Sequence, residues 1–171
     1  MDQREDFTTY VAARWTTLVR SAVFLGCSLE EAQDLVQTTL MKSYVAWGRV
    51  SRADDRDGYV YRVLLNAFRD SRRRRWWGER PTADLPDTDA RTHSPDATAD
   101  VDVADAVHRA LDGLDPQFRE VVVLRYFANL GEQQTATALR IPVGTVKSRL
   151  SRALKHLAVD DHLADLREGN S

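Results

Sequence analysis

Between Gly78 and Asp102 the chain changes character. That stretch carries seven acidic residues against Arg80 and Arg91, three of the five prolines (Pro81, Pro86, Pro95) and almost no large apolar side chain. Such a segment buries too little apolar surface to offset the entropy of ordering itself. At about 25 residues it is also longer than connections inside compact domains usually are. It reads as a flexible acidic linker over 78–102, separating residues 1–77, with 13 basic and 10 acidic side chains, from 103–171, with nine of each. Elsewhere Gly26, Gly48, Gly58, Gly113 and Gly131 fall between apolar-periodic segments, where helices begin or end. Only 8 Gly and 5 Pro in 171 residues argue against a turn-rich all-β chain. The expected fold class is all-α: two small helical domains, 1–77 and 103–160, joined by the linker and followed by a tail over 161–171.

In the first domain Val11, Trp15, Leu18, Ala22 and Leu25 recur at steps of four and three, one stripe of an amphipathic helix. Ser28 and Glu31 have capping-box spacing. The helix they open is expected to bury Ala32, Val36, Leu40, Ser43 and Trp47. Its other face presents Asp34, Gln37, Thr38, Met41 and Val45; Met41 and Val45 on a polar face hint at a protein partner. After Gly58, Val60, Val63, Leu64, Ala67, Phe68 and Ser71 share a face. Arg62, Asn66, Arg69 and Arg73 fall opposite, an arrangement that can lie along a phosphate backbone and offer Asn66 to a base edge. Arg72 to Arg75 cannot all face one surface, so part of that run is a diffuse positive field. Residues 59–77 are net +5 in a chain of formal net charge −2, which favours nucleic-acid contact over a solvated helix end.

In the second domain Val103, Ala106, Val107, Ala110, Leu111 and Leu114 form a helix ending near Gly113. Asp115-Pro116 then reads as an N-cap followed by proline at the first helical position. The run from Phe118 to Phe127 is expected to be a largely buried helix. Residues Leu130 to Leu157 fit a helix-turn-helix broken at Arg140-Ile141-Pro142. In its second helix Val146, Leu150, Ala153, Leu154 and Leu157 point inward. Thr145, Ser148, Ser151, Arg152 and Lys155 point outward, flanked by Lys147 and Arg149. Residues 140–156 hold five basic side chains and no acidic one, as a helix entering the major groove would.

Val143-Gly-Thr-Val-Lys-Ser-Arg-Leu-Ser-Arg-Ala-Leu resembles the recognition helix of region 4 in sigma-70 superfamily factors. Glu31-Ala-Gln-Asp-Leu-Val-Gln-Thr-Thr-Leu resembles their region 2 helix. Region 2, a linker and region 4 in that order is the layout of the extracytoplasmic-function (ECF) group. The run Arg72 to Pro86 is similar to its actinobacterial SigE-like subfamily. The resemblance implies a promoter-recognition subunit whose partners are bacterial core RNA polymerase and promoter DNA, with an anti-sigma factor as a further partner. It implies that Asp34, Leu35, Gln37 and Thr38 bind the polymerase, and that the loop from Arg49 to Gly58 captures a flipped −10 base. Arg62, Asn66, Arg69 and Arg73 would lie on −10 DNA, and Thr145, Lys147, Ser148, Arg149 and Arg152 would read the −35 element. The linker would thread the RNA channel and be displaced by like-charged RNA. Two positions depart from the family pattern: Arg140 stands where glycine is usual, and Thr135 where a buried isoleucine is common. Arginine there would take a left-handed backbone at some cost, or the turn differs from the family's.

Enzymatic chemistry finds no support in the sequence. There is no glycine-rich phosphate loop, nucleophile elbow or metal-spaced cluster; the four histidines are scattered and Cys27 reads as a helix-end residue. No cofactor and no metal are expected. The charged start, Met1 to Asp6, is unlike a signal peptide, and no apolar run approaches a membrane span, so a cytoplasmic protein is expected. The alternative is a stand-alone helix-turn-helix regulator with an N-terminal dimerisation or sensing module. It accounts for residues 143–157 but leaves the basic stripe on residues 62–73 without a use.

Overall fold

In a computed structural model of the chain, residues 2–78, 98–161, 163 and 164 are described. The described residues form eight α-helices and one π-helical segment, in two helical bundles. The first bundle is α1 (Gln3–Leu25), α2 (Leu29–Val45), α3 (Trp47–Val50) and α4 (Arg56–Trp76). Gly26 stops α1 at φ +120, a left-handed conformation that costs glycine little, and donates back to Ala22 and Val23 carbonyls. Ser28 caps α2 with the expected box: its Oγ accepts from the Glu31 amide at 3.2 Å, and Glu31 Oε2 accepts from the Ser28 amide at 2.9 Å. Asp55 caps α4 through the Gly58 amide at 2.8 Å. A Cβ on Gly58 would fall 2.2 Å from Asp55 Oδ2, so a side chain there would have to displace the capping carboxylate.

Two details of α2 differ from the expectation. The helix ends at Val45, and Trp47 starts the short α3, where it is fully buried. Trp47 Nε1–H donates to Asp6 at 2.9 Å, and its ring meets Phe7 and Tyr10 at 5.0 Å. The buried arc of α2 is also wider than one stripe, because α2 packs on both α1 and α4. Leu35 and Thr39 therefore join Ala32, Val36, Leu40 and Ser43 inside.

The second bundle is α5 (Thr98–Asp112), α6 (Pro116–Val122), the π-helical segment Val123–Phe127, α7 (Glu132–Leu139) and α8 (Val143–Ala158). α5 begins inside the stretch read as linker. Residues 79–97 of that linker, and most of the tail after Asp161, lie outside the described residues. Asp115 and Pro116 open α6 as expected, although the Asp115 side chain makes no capping bond. The segment from Phe118 to Leu124 is almost wholly buried, as its composition requires.

The bundles meet. Phe24, at the end of α1, stacks on Phe127 at 4.0 Å and on His108 at 5.0 Å. Arg119 Nε donates to the Phe24 carbonyl at 2.6 Å and pairs with Asp112 at 2.8 Å. Arg69 grips Glu120 with two hydrogen bonds, of 3.1 and 2.8 Å. One hydrophobic cluster runs through both halves.

Candidate nucleic-acid interface

The turn between α7 and α8 forms despite its arginine. Arg140 sits at φ 56, ψ 45, the left-handed conformation that glycine would take more cheaply, and its amide donates to the Ala136 and Thr137 carbonyls. Thr135, fully buried, spends its hydroxyl on the Gly131 carbonyl at 2.8 Å, so a polar side chain occupies an apolar site without an unsatisfied group. Pro142 then caps α8.

On α8, Val146 and Ala153 are buried, and Leu150 and Leu157 pack at the edge of the core. Leu154, expected inside, is 40% exposed: α8 rests on α6 and α7 along a narrow seam, and Leu154 lies beyond it. Lys147, Ser148 and Arg152 are exposed, and Thr145 and Arg149 half-exposed. Lys147 lies 3.6 Å from Glu132, an ion pair open to water, and Ser148 Oγ donates to the Thr145 carbonyl at 3.1 Å. Among the described residues Arg149 and Arg152 have neither ion pair nor hydrogen bond, so both are available to phosphate or guanine.

The stripe on α4 is less uniform. Asn66 is exposed and Arg62 half-exposed, as the helical spacing predicts. Arg69 faces outward from the first bundle but is held by Glu120 of the second, whose side chain is buried. The pairing raises the Arg69 pKa, so this guanidinium stays charged at any accessible pH. Arg73 is held by Asp70 at 2.8 Å. Arg72, behind the stripe, donates to the Gly26 carbonyl at 2.5 Å, and Arg75 pairs with Glu31. Ser71, expected on the buried face, is exposed, whereas Tyr61 and Leu65 are buried in the core.

A groove between α2 and α4 is lined by Glu31, Asp34, Leu35, Thr38, Lys42 and Arg74, among others. Asp34 and Thr38 line it and are exposed, and Gln37, Met41 (72% exposed) and Val45 (88%) are exposed on the same helix. Leu35, 9% exposed, is both groove floor and core. Lys42 and Arg74, absent from the sequence-based site, complete the groove only because α4 lies beside α2. Among the described residues there is no cluster able to hold a metal ion, and no helix is long and apolar enough to cross a membrane.

Residues 10–78 match the sigma-70 region 2 family and residues 104–157 match sigma-70 region 4. The RNA polymerase sigma-E factor of Streptomyces avermitilis is 36% identical over 166 residues, 94% of this chain and 88% of that protein. The chain belongs to the sigma-70 family. Within it the chain is of the ECF type: the ECF RNA polymerase sigma factor SigM of Mycobacterium tuberculosis is 33% identical over 141 residues, 82% of this chain and 69% of that one. The sigma factor RpoE of Bartonella quintana, solved in complex with the anti-sigma factor NepR, superposes with a TM-score of 0.69 at 25% identity, covering 90% of this chain and 94% of that one. CnrH, solved with the cytosolic domain of CnrY, shares the fold, with a TM-score of 0.67 at 24% identity over 98% of this chain and 91% of that chain. The stand-alone regulator reading is not favoured.

Proposed function

We propose that this ECF sigma factor binds core RNA polymerase through the rim of the α2–α4 groove, with Asp34, Gln37 and Thr38 as polar contacts. Met41 and Val45 are the apolar ones. The face of α4 that carries Arg62 and Asn66 lies on the −10 element, beside the loop from Arg49 to Gly58 that takes an unstacked base. Thr145, Lys147, Ser148, Arg149 and Arg152 read the −35 major groove. Its activity is promoter selection in transcription initiation, which places it in the cytoplasm with the polymerase. An anti-sigma factor is a natural further partner, since RpoE and CnrH were both solved with protein partners.

The observation that carries this reading is the division of labour between surfaces. α2 presents Asp34 with the apolar Met41 and Val45, beside the groove cations Lys42 and Arg74, whereas α4 and α8 present basic faces interspersed with polar side chains. Arg69 and Arg73 belong to the −10 face only after leaving Glu120 and Asp70. The test is gel filtration with core polymerase. Wild type should co-elute stoichiometrically and Asp34→Arg should lose at least about a hundredfold in affinity, because a reversed charge is buried against a complementary patch. Co-elution of Asp34→Arg at wild-type affinity refutes the assignment of α2.

A further inference from the structure

Among the described residues four hold a left-handed backbone: Gly26 at φ +120, Gly78 at φ +92, Asn129 at φ 55 and Arg140 at φ 56. Glycine has no Cβ to clash in that region, and asparagine visits it more readily than other side chains. At three of the four positions the chain therefore carries a residue that tolerates the turn. Arg140 is the exception, and nothing in its turn calls for an arginine. The stop of α7 is made by backbone: the Arg140 amide donates to the Thr137 carbonyl at 3.4 Å, and the Ile141 amide to the Ala136 carbonyl at 3.1 Å. Glycine or asparagine would make the same bonds. The Arg140 side chain is exposed, and among the described residues it has no ion pair and no hydrogen bond. A strained backbone kept under an unpartnered cation points to a partner outside the chain.

The position of Arg140 indicates what that partner is. It lies two residues before Pro142, the N-cap of α8, so at ~3.8 Å per peptide step its Cα is within about 8 Å of that end of the helix. In a helix-turn-helix this is the end that enters the major groove. Side chains on α8 itself address the groove floor, whereas one that leaves from the turn ahead of the helix stands over the groove wall, which is phosphate. The local charge agrees: residues 140–156 hold five cations and no acid. Of these, Lys147 is shared with Glu132 at 3.6 Å, and Arg140 is not shared. An apolar partner surface would have to desolvate this guanidinium, while a phosphate accepts two of its N–H groups at once.

We propose that Arg140 is a phosphate anchor for duplex DNA at the entry of the α8 face, fixing the sugar-phosphate backbone beside the bases that α8 reads. The anchor rests on the −35 reading of α8. A phosphate contact carries no base code, so it adds affinity and register without sequence preference.

The test uses the full chain and two fluorescein-labelled duplexes, one A·T-rich and one G·C-rich, read by anisotropy over a series of KCl concentrations. R140N removes the cation and keeps a residue suited to the turn; R140K keeps a cation. R140N should bind both duplexes about fivefold more weakly at about 150 mM KCl, and its log–log salt slope should fall by about 0.9, the share of one phosphate. R140K should keep the wild-type slope. An unchanged slope in R140N overturns the anchor, and so does a loss confined to one duplex, which would make Arg140 a base contact. R140N should also unfold at no lower urea concentration than wild type; a lower midpoint would mean that the side chain serves the turn, and overturns the anchor. The double variant R149A/R152A is measured alongside. A loss in R149A/R152A with none in R140N leaves the α8 reading in place and removes the anchor alone, and a loss in neither removes both. A loss in R140N alone keeps the anchor and takes the DNA contact away from Arg149 and Arg152.

Discussion

α4 and α8 are built alike, each with an apolar back and a basic front, yet the two fronts are in different states. On α8 the long cations are open to solvent, and the nearest acid, Glu132, touches only Lys147 at 3.6 Å. On α4 two of the four stripe residues are engaged: Arg69 by Glu120 from the other bundle and Arg73 by Asp70 one turn away. A helical repeat tells which way a side chain leaves its helix. It does not tell what stands opposite, and here one basic face meets water while the other meets a second domain. On the proposed assignment, the α8 face needs no rearrangement to meet DNA, whereas half of the α4 face has first to exchange a carboxylate for a phosphate.

The deepest cut into that comparison is through the core that positions α4. Trp47→Ala removes a fully buried indole that holds Asp6, Phe7 and Tyr10 together, and should cost about 3–5 kcal/mol of stability in denaturant unfolding. Because one hydrophobic cluster spans both bundles, the loss should appear in a single transition; two separate transitions would mean that the halves fold independently. Next, Arg152→Ala should weaken promoter binding of the holoenzyme by roughly 1–3 kcal/mol if the side chain reads a base. An equal loss on every promoter sequence would make it a phosphate contact instead.

Glu120→Gln bears on the contrast directly. It takes the charge from the partner of Arg69 while keeping the shape, and should loosen the junction by about 1 kcal/mol, since the Arg69 side chain is 43% exposed and partly screened. Energy transfer between dyes on the two bundles should report a wider spread of distances, and the holoenzyme should engage −10 DNA at least as well as wild type. An unchanged distance distribution would mean that the other contacts, the Phe24–Phe127 stack and the Arg119–Phe24 hydrogen bond among them, suffice to hold the halves together.

The smallest effect is one of pH, confined to the first bundle. Burial pushes the Tyr61 phenol up to about 12, against a partial opposing hydrogen bond with Ser21, and raises that of Tyr10 with further help from Asp57. In the unfolded chain these tyrosines lose their protons near pH 10, so above that pH the unfolded state holds fewer protons than the folded one. Stability is therefore full below about pH 10 and falls as pH rises toward 12. Tyr61→Phe should flatten that fall in unfolding curves taken between pH 9 and pH 11; an unchanged slope would place the alkaline loss elsewhere.

Much of the architecture was written locally. The Ser28–Glu31 box, the glycine stop at Gly26 and the Arg140-Ile141-Pro142 break depend on residues within a few positions of one another, and each forms where the sequence puts it. Even the penalty at Arg140 was legible, because a turn that needs a left-handed residue needs it whatever the side chain. Leu154, expected inside, is exposed, and Leu35 and Thr39 join the buried arc of α2, for one shared reason. The width of a buried arc is set by where a helix's neighbours lie, on two sides of α2 but along one narrow seam of α8, and periodicity on one helix carries no record of that. The Arg69–Glu120 pair spans 51 positions and the undescribed linker, and the groove residues Lys42 and Arg74 come together only across two helices.

By itself the sequence determined that this is a helical protein of two modules with two basic faces, because caps, breakers and amphipathic periods act over one or two turns of backbone. It also carried the motif order that marks the sigma-70 family. Only the tertiary structure decided which of those cations are free, which leucines are core, and that Phe24, Phe127, Arg69 and Glu120 join the halves. Burial and long-range pairing are properties of surfaces brought together, and neither half alone contains both sides of the contacts that join them.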